Sequence, residues 1–197
     1  MMKKVWEVQF LSLPPVIRYC KKCGRKMEFI CSEQFRVNAQ RRDLDIWLIY
    51  KCSGCETTWN AEVYSRISPQ ALSTELLDKF HENDKTLARK YAMSSTFLSK
   101  NGAEAGLPKY TVMGEDFLPG EEIELEIKSE YELPVKVSSI VREKLKLSRK
   151  EYAQLVSEGK IKSMSGQDLE KCRLKKGIIL VFEGEKMEKQ EYGPGDA

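Results

Sequence analysis

The chain has six cysteines, side chains able to ligate metal or form disulfides. Four fall into two CxxC pairs, Cys20-Lys21-Lys22-Cys23 followed by Gly24, and Cys52-Ser53-Gly54-Cys55. Each pair can form a tight knuckle whose backbone amides point at the sulfurs. Two knuckles together supply the four-sulfur tetrahedron, about 2.3 Å from metal to sulfur, that holds Zn2+. Four thiolates leave no coordination position open, so the expected role of the zinc is structural. A span of 28 residues separates the pairs, more than the roughly 15–20 of the simple zinc pattern, so the intervening chain must carry structure of its own. A disulfide framework is disfavoured because no secretory signal is evident and cytosolic thiols stay reduced. A thioredoxin-like pair needs one CxxC opening a helix after a strand, whereas both pairs here sit among strand signals. Cys31 and Cys172 lack a CxxC partner and read as small apolar residues, with a spare-ligand role as the alternative for Cys31.

Other chemistry is hard to find. There is no Gly-rich phosphate loop, no nucleophile elbow and no Ser/His/Asp arrangement. His81, the single histidine, falls in a helical region away from the cysteines. Ile123, Leu125 and Ile127 alternate with glutamates too regularly for an acid–base pair to stand out; those glutamates read as the solvated face of a sheet. The expectation is a binding protein and not an enzyme, with no small-molecule substrate evident.

Strand signals surround the cysteine pairs. Phe29 to Ala39 alternates loosely, Gln40-Arg41-Arg42-Asp43 is a polar break, and Leu44 to Tyr50 is an aromatic and β-branched run that delivers Cys52. Trp59, Ala61 and Val63 then share one face of the following run. These features predict a zinc ribbon over residues 1–66. Residues 67–133 read as a helical and acidic β connector: Leu72, Leu76, Leu77 and Phe80 recur at helical spacing after Ser68-Pro69. A second helix starts from Asn83 as N-cap and stops at Asn101-Gly102. In 134–182, Val137, Ile140, Val141 and Leu145 mark one helix, and Ser148 with Glu151 forms a capping box for another that Gly159 closes. Short strands at 160–163 and 178–182 complete that module, and 183–197 is an acidic tail. The fold class expected from this is α+β: an N-terminal zinc ribbon, a helical and β middle, and a C-terminal basic helix pair with short strands.

A net charge of +3 hides a segregation. Residues 1–66 carry 12 Lys and Arg against 7 Asp and Glu, 67–133 carry 7 against 13, 134–182 carry 12 against 5, and the tail carries 2 against 5. Two basic segments therefore flank an acidic one, a distribution that suits a polyanion. The longest apolar runs, Ile46 to Tyr50 and Ile178 to Phe182, are five residues each, far short of the roughly 20 that a membrane helix needs. Glu7 and Gln9 interrupt the apolar residues of the start, so no signal-peptide h-region follows. The chain reads as cytoplasmic, without a membrane partner.

Two resemblances bear on function. Val137 to Phe182, and above all Leu147-Ser148-Arg149-Lys150-Glu151 through Leu155-Val156 to Gly159-Lys160-Ile161, resembles the αL RNA-binding module of the ribosomal protein type. Ser163-Met164-Ser165 and Gln154 depart from that pattern. The resemblance implies binding of structured RNA, ribosomal or transfer, through Lys144, Lys146, Ser148, Arg149, Lys150 and Lys160. Over its whole length the chain also resembles a bacterial family catalogued as domain of unknown function 1062. That likeness is carried by Cys20-Lys21-Lys22-Cys23-Gly24, Phe35-Arg36-Val37-Asn38, Leu44 to Cys52, and Thr58-Trp59-Asn60, and it implies no activity. The alternative function is a zinc-stabilised adaptor for proteins, which would need Trp47, Tyr50, Trp59 and Tyr64 exposed. A zinc-dependent enzyme would need an open coordination site.

Overall fold

The alternation that marks residues 29–50 as strand continues well beyond a ribbon. In the computed structural model, which describes residues 1–118 and 120–184, it runs through β3 (Arg25–Gln40) and β4 (Asp43–Cys52), which pair antiparallel over almost their full lengths. With β1 (Met2–Phe10), β2 (Val16–Cys20), β5 (Thr58–Ile67) and β6 (Glu104–Ala105), the strands sort into two sheets. The first has the order β5-β4-β3-β2-β6. Its inner face carries Ile46, Leu48 and Tyr50, all fully buried, because every second side chain of a strand points the same way. Helices α1 (Thr74–His81), α2 (Lys85–Ala92) and α3 (Ser95–Lys100) cover that face. Ser73, Asp84 and Ser94 cap them, each side chain accepting from an amide three residues on. Phe80 sits in an aromatic cluster, its ring centroid 4.9 Å from that of Phe35 and 6.1 Å from that of Tyr64.

The second sheet adds β7 (Tyr110–Met113), β8 (Ile123–Ser129), β9 (Ile161–Ser163) and β10 (Gly177–Phe182), in the order β7-β1-β8-β10-β9. β1 lies inside this sheet, parallel to β8 with Met2 opposite Ile123 and antiparallel to β7 with Glu7 opposite Met113. Trp6 is fully buried there and donates its indole N–H to Glu115 O at 2.9 Å, so its large apolar surface is removed from water without an orphaned donor. Helices α4 (Val137–Leu145) and α5 (Arg149–Ser157) cover the same core, contributing Val137, Ile140, Val141 and Tyr152.

The expected α+β division into a zinc ribbon, a helical and β middle and a C-terminal basic helix pair is therefore corrected. With 40% strand against 23% helix, the described residues are mostly β and organised as two sheets. The long pairing of β3 with β4 turns the expected ribbon into a five-stranded sheet with its own helical cover. No C-terminal basic helix-pair module stands apart, because α4 and α5 cap a sheet whose strands come from residues 2–10, 110–129 and 161–182. Non-local pairing of β1 with β8 overrides the local grouping that sequence order suggests. Residues 185–197 of the expected acidic tail lie outside the described residues. Among the described residues no helix is long and apolar enough to cross a membrane.

Candidate metal centre

β2 passes into β3 through the Cys20–Cys23 turn, and β4 passes into β5 through the Cys52–Cys55 turn. Both turns use one device. Gly24 N donates to Cys20 O, and Glu56 N donates to Cys52 O, each at 2.9 Å. The residue after the second cysteine is left-handed in both, with φ of 70° at Gly24 and 57° at Glu56; glycine adopts that conformation without steric cost, glutamate does not. Because β3 and β4 run antiparallel with Phe29 opposite Cys52, the two turns arrive at the same end of the sheet. Ser53 N donates to Glu28 O at 2.9 Å, which ties the second turn to β3. At Gly54 a Cβ would come within 2.7 Å of the Met27 methyl carbon, so this turn packs close against β3.

The four sulfurs meet. Cys20 Sγ lies 3.5 Å from Cys55 Sγ and Cys23 Sγ lies 3.8 Å from Cys52 Sγ, and all four fall within 4.8 Å of one another. A tetrahedron with metal–sulfur bonds of about 2.3 Å has sulfur–sulfur edges of about 3.8 Å, so the spacing fits a metal ion at the centre. All four are free thiols, with Cys20 and Cys52 buried and Cys23 and Cys55 half-buried. Hydrogen bonding with Cys55 pushes the Cys23 thiol up to about 12, whereas the Thr57 hydroxyl, 3.2 Å from Cys55 Sγ, and the Thr57 amide hold Cys55 down to about 6. These four cysteines could hold a metal ion, and an all-sulfur tetrahedral donor set is compatible with zinc.

Cations stand close by in sequence. Two residues before Cys20 on the same side of β2, Arg18 stacks its guanidinium 4.0 Å from the Trp59 ring centroid, and its Nη1 is buried without a protein acceptor. Lys21 and Lys22 are exposed within the first turn. Cys31 is not in the cluster: its Sγ accepts from Glu33 N at 3.4 Å, and burial pushes its thiol up to about 11. Cys172 Sγ lies 3.0 Å from Gln167 Oε1.

The basic residues picked out in the sequence are placed less uniformly. Ser148 is engaged in capping α5: its hydroxyl accepts from Glu151 N at 3.2 Å, and its own N–H donates to Glu151 Oε2 at 2.7 Å. Lys144 pairs with Asp116 at 2.7 Å and Lys160 with Glu158 at 3.2 Å. Lys146, Arg149 and Lys150 are exposed. Arg149 instead shares a cleft with Lys136, Arg142 and Lys171. Lys136, Arg142 and Lys171 are not among the site residues expected from the sequence; the run Lys171, Arg173, Lys175 and Lys176 is the local signal for Lys171.

Compared with known proteins, residues 37–167 match a family described as "Protein of unknown function (DUF1062)". The matched stretch takes in Cys52 and Cys55 but begins after Cys20 and Cys23, so it covers less than the whole-length resemblance expected from the sequence. No curated protein and no solved structure matches.

Proposed function

This chain belongs to the family described as "Protein of unknown function (DUF1062)", and from that premise we propose that it is a zinc-stabilised binding protein whose partner is structured RNA. The observation that carries the zinc half is the convergence of four sulfurs from two knuckles within 4.8 Å. Cys20, Cys23, Cys52 and Cys55 hold the ion, and the ion joins the β2–β3 and β4–β5 turns. Four sulfur ligands complete a tetrahedron, which favours a scaffold over a reaction centre, and thiolate ligation suits the reducing cytoplasm.

The RNA half rests on charge. Residues 134–182 carry 12 Lys and Arg against 5 Asp and Glu, and Lys146, Arg149 and Lys150 are exposed around the start of α5. Lysine and arginine at a helix start engage phosphates more than bases, so selection follows RNA shape and not sequence. The adaptor reading is less favoured because Tyr50 is fully buried and Trp47, Trp59 and Tyr64 are only partly accessible. Titration of structured RNA at several salt concentrations tests the proposal; absence of binding near physiological salt removes its RNA half and leaves its metal half standing.

A further inference from the structure

Four cationic side chains from three separate segments converge on one cleft of about 560 Å³: Lys136 before α4, Arg142 on α4, Arg149 on α5 and Lys171 in the loop before β10. Bringing like charges together costs Coulomb energy, which a bound anion would offset. One carboxylate, Glu170, shares the cleft, and Lys171 leans toward Asp168 at 3.5 Å. Lys136, Arg142 and Arg149 make no ion pair among the described residues. Arg142 Nε is shielded from water and has no acceptor within the chain, so the charge of this guanidinium is not compensated from inside the protein.

The cleft also offers neutral donors. Ser138 and Ser139 line it from the first turn of α4. No side chain caps that nine-residue helix; Val137 N donates to Cys172 O at 3.1 Å, and the positive end of the helix lies beside the two serines. Two guanidinium groups, two ammonium groups and two hydroxyls match the several oxygens of a phosphate, and arginine engages such oxygens two at a time. The lining holds one aromatic residue, Tyr152, which is buried and donates its hydroxyl to Leu169 O at 3.3 Å. The cleft thus lacks a free platform on which a base could stack.

We propose that the cleft between α4 and α5 is a phosphate-binding site, in which Arg142 and Arg149 grip the phosphate oxygens while Lys136 and Lys171 set the field. The inference deepens the RNA reading and rests on it, with Arg149 common to the two basic surfaces, and the phosphate can come from an RNA backbone or from a phosphorylated small molecule.

The experiment is a calorimetric titration of the full chain at low ionic strength, with pyrophosphate in one arm and structured RNA in the other. Wild type is expected to bind pyrophosphate. Arg149→Ala and Arg142→Ala are each expected to weaken it roughly 10- to 100-fold, the loss of a charge-assisted hydrogen bond. Lys79→Ala, which removes a lysine paired with Glu75 on α1, is expected to bind as wild type does. Should Arg142→Ala fail to fold, Arg149→Ala and Lys136→Glu, both at exposed positions, carry the test. Pyrophosphate binding without RNA binding keeps the site and removes the RNA reading. RNA binding without pyrophosphate binding overturns the site and leaves the RNA reading intact, as does unchanged pyrophosphate affinity in Arg149→Ala and Lys136→Glu.

Discussion

Cys20 Sγ and Cys55 Sγ lie 3.5 Å apart although 35 residues separate them in the chain. That closeness depends on the pairing of β3 with β4, so the metal site and the first sheet support each other. The second sheet has a core of its own, centred on Trp6, Leu125, Ile127 and Leu180. Structural zinc contributes an apparent binding free energy of about 10–16 kcal/mol. Chelation should therefore raise amide exchange across β2 to β5 while β1, β8 and β10 stay protected. Equal loss of protection in both sheets would show that one cooperative unit spans them.

Placement of β1 inside the second sheet is tested at Gly114. Its φ is 129°, and a Cβ there would collide with Val5 O and come within 2.6 Å of Trp6 Cδ1. Overpacking of this kind costs about 1–3 kcal/mol, to which the left-handed backbone adds. Gly114→Ala should lower the denaturant midpoint accordingly, and a variant as stable as wild type would mean that β1 is not held against this turn.

The capping box of α5 has a pH signature. Ser148→Ala should cost about 1 kcal/mol of stability. The Ser148 hydrogen bonds lower the Glu151 pKa, so the Glu151 contribution is complete above the ordinary glutamate value of about 4.3 and disappears as pH falls through the folded-state value. The stability gap between wild type and Glu151→Gln should accordingly be present at neutral pH and close in acid. A gap that widens in acid contradicts the capping geometry.

RNA affinity should fall steeply with salt, because each phosphate contact releases condensed counterions. Arg149→Ala should lower both the affinity and the salt slope, by about one phosphate contact. Lys79→Ala should change neither. Equal effects of the two variants would point to diffuse attraction without a defined surface.

The four candidate ligands are legible in the sequence because each knuckle is a device of five consecutive residues, with a glycine at 24 to take the left-handed position. The strand that delivers Cys52 is legible too, from the aromatic and β-branched run at 44–50. What local pattern does not carry is partner choice over distance. Nothing near Trp6 announces that Met2–Val8 will lie beside Ile123–Ser129, and so the sequence suggests a ribbon, a connector and a module where the chain builds two sheets. Lys144 is a similar case: it looks like a free cation on α4 until Asp116, from the loop after β7, closes on it. The gathering of Arg149 with Lys136, Arg142 and Lys171 depends on the α4–α5 packing and on the loop before β10, and no spacing rule links those positions.

Four thiolates from two knuckles, holding one metal ion as proposed, give a stoichiometry that can be counted. The most direct measurement is the metal content of full-length protein purified without chelator, by elemental analysis together with native mass spectrometry, for wild type and Cys52→Ser. One zinc per wild-type chain is expected, with zinc lost or greatly reduced in Cys52→Ser. A folded wild-type protein containing no metal, or a Cys52→Ser variant that retains a full equivalent of zinc, would contradict it.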